Sequence, residues 1–205
     1  FRELVLETRT SRRPCCSLLG APLTPEEARK FLEVCSEDRL YALYVLAVTC
    51  GLRFGELLEL CWKDVDFEAR TLTVNRQLQR VNGTLQFQTL KTPRSRRTIA
   101  LPELAVAALK AHRARQMEER LKMGELWQDL DLVFCSEIGT PLNESNVRNR
   151  SFYPLLEKAG LPRIRFHDLR HTCATLLLAQ GVHPKFVQSR PRVMLEMGLM
   201  RSPLT

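Results

Sequence analysis

The segment from Arg39 to Cys50 carries apolar side chains on nearly every side of a helix. A helix without a polar face cannot rest on a surface, so it must be central to a core with other elements packed around it. Its near-continuous apolar run, Leu40 to Cys50, is far short of the roughly 20 residues that a membrane span needs. Gly51 ends it. A chain of 205 residues that is 44% hydrophobic can bury such a helix, and one main domain is expected.

The flanking segments supply the rest of that core. Thr24-Pro25-Glu26-Glu27 is a helix start, with threonine as N-cap, proline at the first helical position and Glu27 closing a capping box. This first helix should run to about Cys35. After Gly51, a short helix must turn Leu57, Leu58 and Leu60 inward. Arg53 then falls at the junction of two buried helices, where a guanidinium is costly unless paired or aimed at an anion. Glu56 is its plausible partner, and spacing alone leaves a structural pair and an anion site equally open.

From Asp64 the pattern changes to strands. Thr71–Asn75 alternates, Asn82-Gly83 is a turn signal, Leu85–Phe87 alternates again, and Arg97–Leu101 forms a third run. These predict a small three-stranded antiparallel sheet. Lys91, Arg94, Arg96 and Arg97 fall within seven residues between and at the start of its last strand. Such a stretch is either a solvated basic loop or one that tracks a DNA backbone and presents a lysine to a phosphate. A long helix follows from Pro102 to about Met123, then a short apolar element at Leu132–Phe134 and a helix from Asn143 to Lys158 closed by Gly160. The fold class is mainly α with that small sheet.

Lys and Arg number 31 against 23 Asp and Glu, a net charge of +8 that favours a polyanionic partner. Seven cysteines form no Cys-x-x-Cys pair, and several sit in apolar runs, so reduced and partly buried thiols in a cytoplasmic protein are expected, with no zinc site. No signal peptide opens the chain, and its start at Phe1 reads as a fragment or a processed product. The P-loop, His-Glu-x-x-His and Gly-x-Ser-x-Gly patterns are absent, which sets aside the corresponding hydrolase chemistries.

The stretch Phe166-His167-Asp168-Leu169-Arg170-His171-Thr172 carries the remaining chemistry. On a helix, His167 and Arg170 project from one face, and an imidazole beside a guanidinium can grip and protonate a phosphate. Alone, His-x-x-Arg is also a chance pattern of ordinary helices.

Together these segments resemble the tyrosine recombinases, the phage and transposon integrase group. The resemblance is carried in order by Gly51-Leu52-Arg53-x-Gly55-Glu56-Leu57, Leu90-Lys91-Thr92-x-x-Ser95-x-Arg97-x-Ile99-x-Leu101 and His167-Asp168-Leu169-Arg170-His171-Thr172. Leu60-x-Trp62-x-Asp64-Val65-Asp66 and the helix opening Leu23-Thr24-x-Glu26-Glu27 add to it. It implies an integrase-like catalytic domain over residues 21–188, a tail or linker at 1–20 and an atypical tail at 189–205. It implies double-stranded DNA as partner, assembly with other recombinase protomers on that DNA, and no membrane and no cofactor. Arg53 and Arg170 would clamp the scissile phosphate, Lys91 would protonate the leaving 5′ oxygen, and His167 would act as base or hydrogen-bond donor. Glu56 and His171 would support them, Arg94, Arg96 and Arg97 would contact DNA, and no metal would be needed.

The resemblance stops after Gln188. The family pattern continues through Leu-Gly-His to a nucleophilic tyrosine, whereas this chain runs into a basic, Met-rich tail that reads as a frameshift or an altered terminus. Its three tyrosines, Tyr41, Tyr44 and Tyr153, all precede His167. The expected function is therefore that of a recombinase catalytic domain inactive on its own, the alternative being a non-catalytic DNA-binding module or a recombinase remnant.

Overall fold

The computed structural model describes residues 21–74, 76–81, 84–89, 97–179 and 181, with 76–81 and 84–89 described by their backbone. Helix α1 is Pro25–Cys35, and its start is the expected capping box: the Glu27 amide donates to Thr24 Oγ1 at 3.2 Å and the Thr24 amide to Glu27 Oε2 at 2.8 Å. Ala28, Phe31, Leu32 and Cys35, spaced along one face, are buried. Helix α2 is Tyr41–Cys50, two residues shorter than the sequence pattern. The Leu40 amide is taken by Asp38 Oδ1 at 2.7 Å, and Arg39 leaves the helix line to bind Glu119 and the Cys135 carbonyl.

Helix α2 is the centre of the described fold. Its residues Ala42 to Val48 and Cys50 are all buried, and Gly51 closes it at φ 59°, in the left-handed region that glycine reaches without a Cβ clash. Against it lie α1, the short helix α3 (Phe54–Leu58), α4 (Glu103–Met123) and α7 (Phe166–Ala179). Phe31, Tyr44, Phe152 and Phe166 meet in edge-on and tilted contacts between 5.3 and 6.3 Å, the geometry aromatic quadrupoles prefer.

The sheet has three antiparallel strands, as the fold class requires, but one of them differs from the sequence reading. Its order is β1 (Val65–Asp66), β2 (Thr71–Val74), β5 (Arg97–Ala100), with Leu72 opposite both Val65 and Ile99. The run at Leu85–Phe87 instead belongs to β4 (Thr84–Thr89), which among the described residues pairs with β3 (Arg76–Val81) in a separate two-stranded antiparallel sheet. The strand β1 is two residues long, too short for alternation to reveal it. What makes it is the turn behind it, where Asp66 Oδ1 accepts from the amides of Glu68 and Ala69 and Arg70 takes a positive φ of 50°. The Asn82-Gly83 turn signal lies outside the described residues.

The helix expected from Asn143 to Lys158 is divided. Asn143 caps α5 (Glu144–Val147) through its side-chain oxygen, a wide π-type turn follows at Arg148–Phe152, and α6 is Tyr153–Lys158. Pro154 has no amide to return to residue 150, and the wide turn lets the chain continue past it. Leu132–Phe134 forms no strand, but it is pinned: the Val133 amide donates to the Leu60 carbonyl at 2.7 Å and His112 Nε2 donates to the Val133 carbonyl at 2.7 Å.

Cys35, Cys50, Cys61, Cys135 and Cys173 are all buried, and burial pushes the Cys50 thiol up to about 12, so it is inert at neutral pH. Among the described residues no helix is long and apolar enough to cross a membrane.

Candidate active site

Arg53 is the residue before α3, with extended backbone at φ −72° and ψ 152°. Glu56, at the third helical position, reaches back to it: the Arg53 amide donates to Oε2 at 2.8 Å and Arg53 Nη1 to Oε1 at 2.9 Å. The expected Arg53–Glu56 pair is therefore formed. Sequence reasoning missed its second half. Arg97, at the start of β5, donates Nη1 to Oε1 at 2.9 Å and Nη2 to Oε2 at 2.7 Å, a bidentate fork on the same carboxylate.

Exposure divides the three residues sharply. The Glu56 side chain is 2% exposed, Arg97 15% and Arg53 55%. Burial by itself would raise the Glu56 carboxyl; the hydrogen bonds and charge of Arg97, with the Arg53 amide, outweigh it and hold the group below the ordinary carboxylate range. The guanidinium of Arg97, read from the sequence as a DNA contact, is turned onto Glu56 in this structure. Lys91, Arg94 and Arg96 lie outside the described residues.

The second part of the site is the first half of α7, and it opens in the same way. Arg165 precedes the helix and Asp168 stands at its third position. The Arg165 amide donates to Asp168 Oδ2 at 2.8 Å, and Arg165 Nη2 donates to Oδ1 at 3.0 Å. Asp168 is buried, which would raise its carboxyl, but the Arg165 hydrogen bonds prevail and depress it. Arg53-Phe54-Gly55-Glu56 and Arg165-Phe166-His167-Asp168 thus share one local design, an arginine, a phenylalanine and an acid at equal spacing. That repeat was present in the sequence and was not read there.

The two phenylalanines join the two halves. Phe54 stacks on Phe166 with ring centroids 3.9 Å apart and planes 16° from parallel. One helical turn on, Arg170 Nη1 donates to the carbonyl of Gly51 at 2.7 Å, so the second guanidinium of the sequence reading is anchored two residues before Arg53. Thr172, buried, accepts from the Leu23 amide at 2.9 Å and donates to the Asp168 carbonyl at 3.0 Å, tying α7 to the entry of α1. The structure therefore brings Arg53, Glu56, His167 and Arg170 to one junction.

His167 and His171 are both exposed on α7 and meet edge to face, with centroids 5.0 Å apart. Partial desolvation, then the neighbouring His171 and Arg170, hold the His167 imidazole below its usual value, so it is neutral at pH 7 and available to accept a proton. Two guanidiniums held from different helices beside a neutral imidazole can bind a phosphodiester and stabilise extra negative charge on it.

The tyrosines are placed elsewhere. Tyr44 is fully buried, and its hydroxyl lies 2.6 Å from Ser151 Oγ, its ionisation pushed far up by burial. Tyr41 is half-buried, and burial raises it too. Tyr153 is covered by the Arg163 guanidinium, 4.0 Å above its ring.

Comparison with known proteins shows the family of the chain and its fold. Residues 22–190 match the Phage integrase family. A tyrosine recombinase XerC-like protein of Caldanaerobacter subterraneus is 40% identical over 174 residues, covering 79% of this chain and 44% of the relative. The ICEBs1 integrase of Bacillus subtilis is 29% identical over 191 residues, covering 88% of this chain and 51% of that protein. Among solved structures, the Tn1549 transposon integrase in complex with circular intermediate DNA superposes with a TM-score of 0.70 at 27% identity, over 84% of this chain and 59% of that one. The XerA recombinase superposes with a TM-score of 0.66 at 27% identity, over 85% of this chain and 56% of that one. The chain spans about half the length of the curated relatives it matches.

Proposed function

The chain belongs to the phage integrase family, and from that premise we propose that residues 21–188 are the catalytic domain of a site-specific recombinase that binds double-stranded DNA around one phosphodiester. The observation that carries this reading is the junction of α3 and α7, where Phe54 stacks on Phe166 and Arg170 donates to the Gly51 carbonyl. It sets Arg53 and Arg170 on a common framework although they come from distant parts of the sequence.

In this reading, the two guanidiniums hold the non-bridging oxygens of the scissile phosphate and neutralise the charge that grows as a fifth oxygen approaches phosphorus. A tyrosine hydroxyl attacks, the bond to the 5′ oxygen breaks, and a 3′-phosphotyrosyl link forms. Lys91 gives the leaving oxygen its proton, and neutral His167 accepts or shares the proton of the attacking hydroxyl. The buried acids Glu56 and Asp168 orient the elements that carry these groups, while His171 packs against His167. Arg94 and Arg96 contact the DNA backbone, and further protomers assemble on the same DNA.

The sequence holds no tyrosine after Tyr153, so the 205-residue chain by itself binds DNA without attaching to it. A nitrocellulose filter titration at several salt concentrations tests the binding. Steep loss of affinity with salt is expected, and an affinity indifferent to salt would remove the DNA reading.

A further inference from the structure

Glu56 is a buried carboxylate gripped from two sides by unequal partners. Arg97 gives it a full bidentate fork, at 2.9 and 2.7 Å, and is itself 85% covered by that placement, whereas Arg53 gives it one side-chain bond at 2.9 Å and remains 55% exposed. A guanidinium has five N–H donors, so Arg53 retains donors that face away from Glu56. We propose that Arg97 is a positioning residue for Arg53: by satisfying the Glu56 carboxylate, it leaves Arg53 oriented and charged toward the phosphate instead of folded onto the acid. This rests on the phosphate-site reading above.

The physical argument is one of competition. A buried carboxylate must be compensated, and the nearest cation will be drawn to it. Glu56 has two candidates, Arg53 and Arg97. If only Arg53 were present, the stable arrangement would be a fork between Arg53 and Glu56, with the Arg53 charge spent on its neighbour. Arg97 occupies both carboxylate oxygens first, from the rigid edge of the three-stranded sheet. Glu56 then binds the Arg53 amide and one Nη1, which fixes the direction of the side chain without consuming it. Lysine would not serve equally, because an ammonium cannot cover both oxygens with fixed geometry.

Inorganic phosphate is the probe. Its dissociation constant is measured by NMR on the full chain, following the side-chain Nε–Hε signal of Arg53 and the ring signals of His167. In the wild type, phosphate should perturb both, and Arg53→Ala should abolish the effect. Arg97→Gln should weaken phosphate by about fivefold or more, and Arg97→Lys should restore only part of it. In a Glu56→Gln background, where no carboxylate competes for Arg53, Arg97→Gln should change phosphate affinity by less than about twofold. A thermal melt run on every variant separates loss of fold from loss of orientation; if Arg97→Gln does not fold, the comparison of Arg97→Lys in the two backgrounds gives the same answer. Equal weakening by the Arg97 substitution in both backgrounds would make Arg97 a direct electrostatic contributor and overturn the proposal. So would an Arg97→Gln chain that binds phosphate as the wild type does. If the wild type shows no phosphate effect that depends on Arg53, the phosphate-site reading itself fails, and that outcome is distinct from the other two.

Discussion

Phe54 and Phe166 lie face to face, 3.9 Å between ring centroids, and join the first residue of α3 to the first residue of α7. Each follows an arginine and precedes an acid by two residues, so the contact aligns two similar helix openings. Two residues of the proposed site are attached to this stack: Arg53 comes before Phe54, and His167 after Phe166. Rigidity at the stack would therefore be rigidity of the proposed site.

Truncation tests that dependence. Phe166 is 4% exposed, and Phe166→Ala should destabilise the fold by roughly 3–5 kcal/mol. Phe54 is half-buried and should cost less, about 2 kcal/mol. Because the rings touch, urea unfolding of both single variants and the double should give a coupling of about 1 kcal/mol beyond additivity. Strict additivity would mean that the stack contributes only independent burial.

DNA binding should distinguish Arg97 from the basic residues that precede it. Arg94→Gln and Arg96→Gln are each expected to reduce the slope of log affinity against log salt by about 0.9, the signature of one lost phosphate contact. Arg97→Lys should lower that slope by clearly less, since the Arg97 side chain is turned onto Glu56 and acts on the DNA only through Arg53. A slope that falls equally for Arg97→Lys would put Arg97 on the DNA after all.

Covalent chemistry should be absent from the 205-residue chain and recoverable by design. On a nicked suicide substrate, no protease-sensitive band of retarded DNA is expected on a denaturing gel: Tyr44 is buried against Ser151, and Tyr153 is roofed by Arg163. When residues 189–205 are replaced by a tail carrying Leu-Gly-His and a tyrosine, an adduct should form. Arg53→Ala or Arg170→Ala in that chain should abolish it, since each removed clamp costs about 3–4 kcal/mol of transition-state stabilisation. Arg170→Lys should also fail in part, because Arg170 must span from the Gly51 carbonyl to the phosphate. A repaired chain that folds, binds DNA and makes no adduct would show that Arg53, Lys91, His167 and Arg170 do not converge.

The parts of this fold that were legible in the sequence are those encoded by neighbours along the chain. The Thr24–Glu27 capping box, the all-round apolar helix α2 and the Gly51 stop depend on spacings of a few residues, and spacing is what a sequence displays. The Arg53–Glu56 pair was legible for the same reason. What was not legible depended on contact across the chain. Glu56 and Arg97 come from separate elements, and nothing local distinguishes an inward arginine from the basic residues beside it. Val65–Asp66 joins the sheet because of a side-chain turn at Asp66 and a register with Leu72, not because of its own two residues. His112 was silent too: a histidine on a long charged helix gives no sign of being buried until Val133 is folded over it.

That histidine supports a last prediction, on stability against pH. His112 is 3% exposed, lies between Trp62 and Phe134, and donates from Nε2 to the Val133 carbonyl at 2.7 Å. Burial, first, drives its value down to about 4; the Val133 hydrogen bond and Glu119 oppose this, and Arg115 and Arg39 reinforce it. The neutral form with hydrogen on Nε2 satisfies this site, leaving Nδ1 to face Arg115 Nη2 at 3.5 Å. In the unfolded chain the same imidazole titrates near 6.5. Above pH 6.5 neither state binds the proton, and His112 adds no slope. Between 6.5 and 4 only the unfolded state binds it, so stability falls as the pH is lowered; below 4 both states bind it and the loss levels off. The total is on the order of 3 kcal/mol, of which about 2 should be lost between pH 7.5 and pH 5. Glu56 and Asp168, with depressed carboxyls, contribute stability that is present above their ordinary values and is lost only at lower pH, so the two windows separate. Urea midpoints measured from pH 7.5 to 5 on the wild type and on His112→Gln, which keeps a donor for Val133 and cannot titrate, should show a steep decline in the first and a shallow one in the second. An identical decline in both would place the acid sensitivity in other groups.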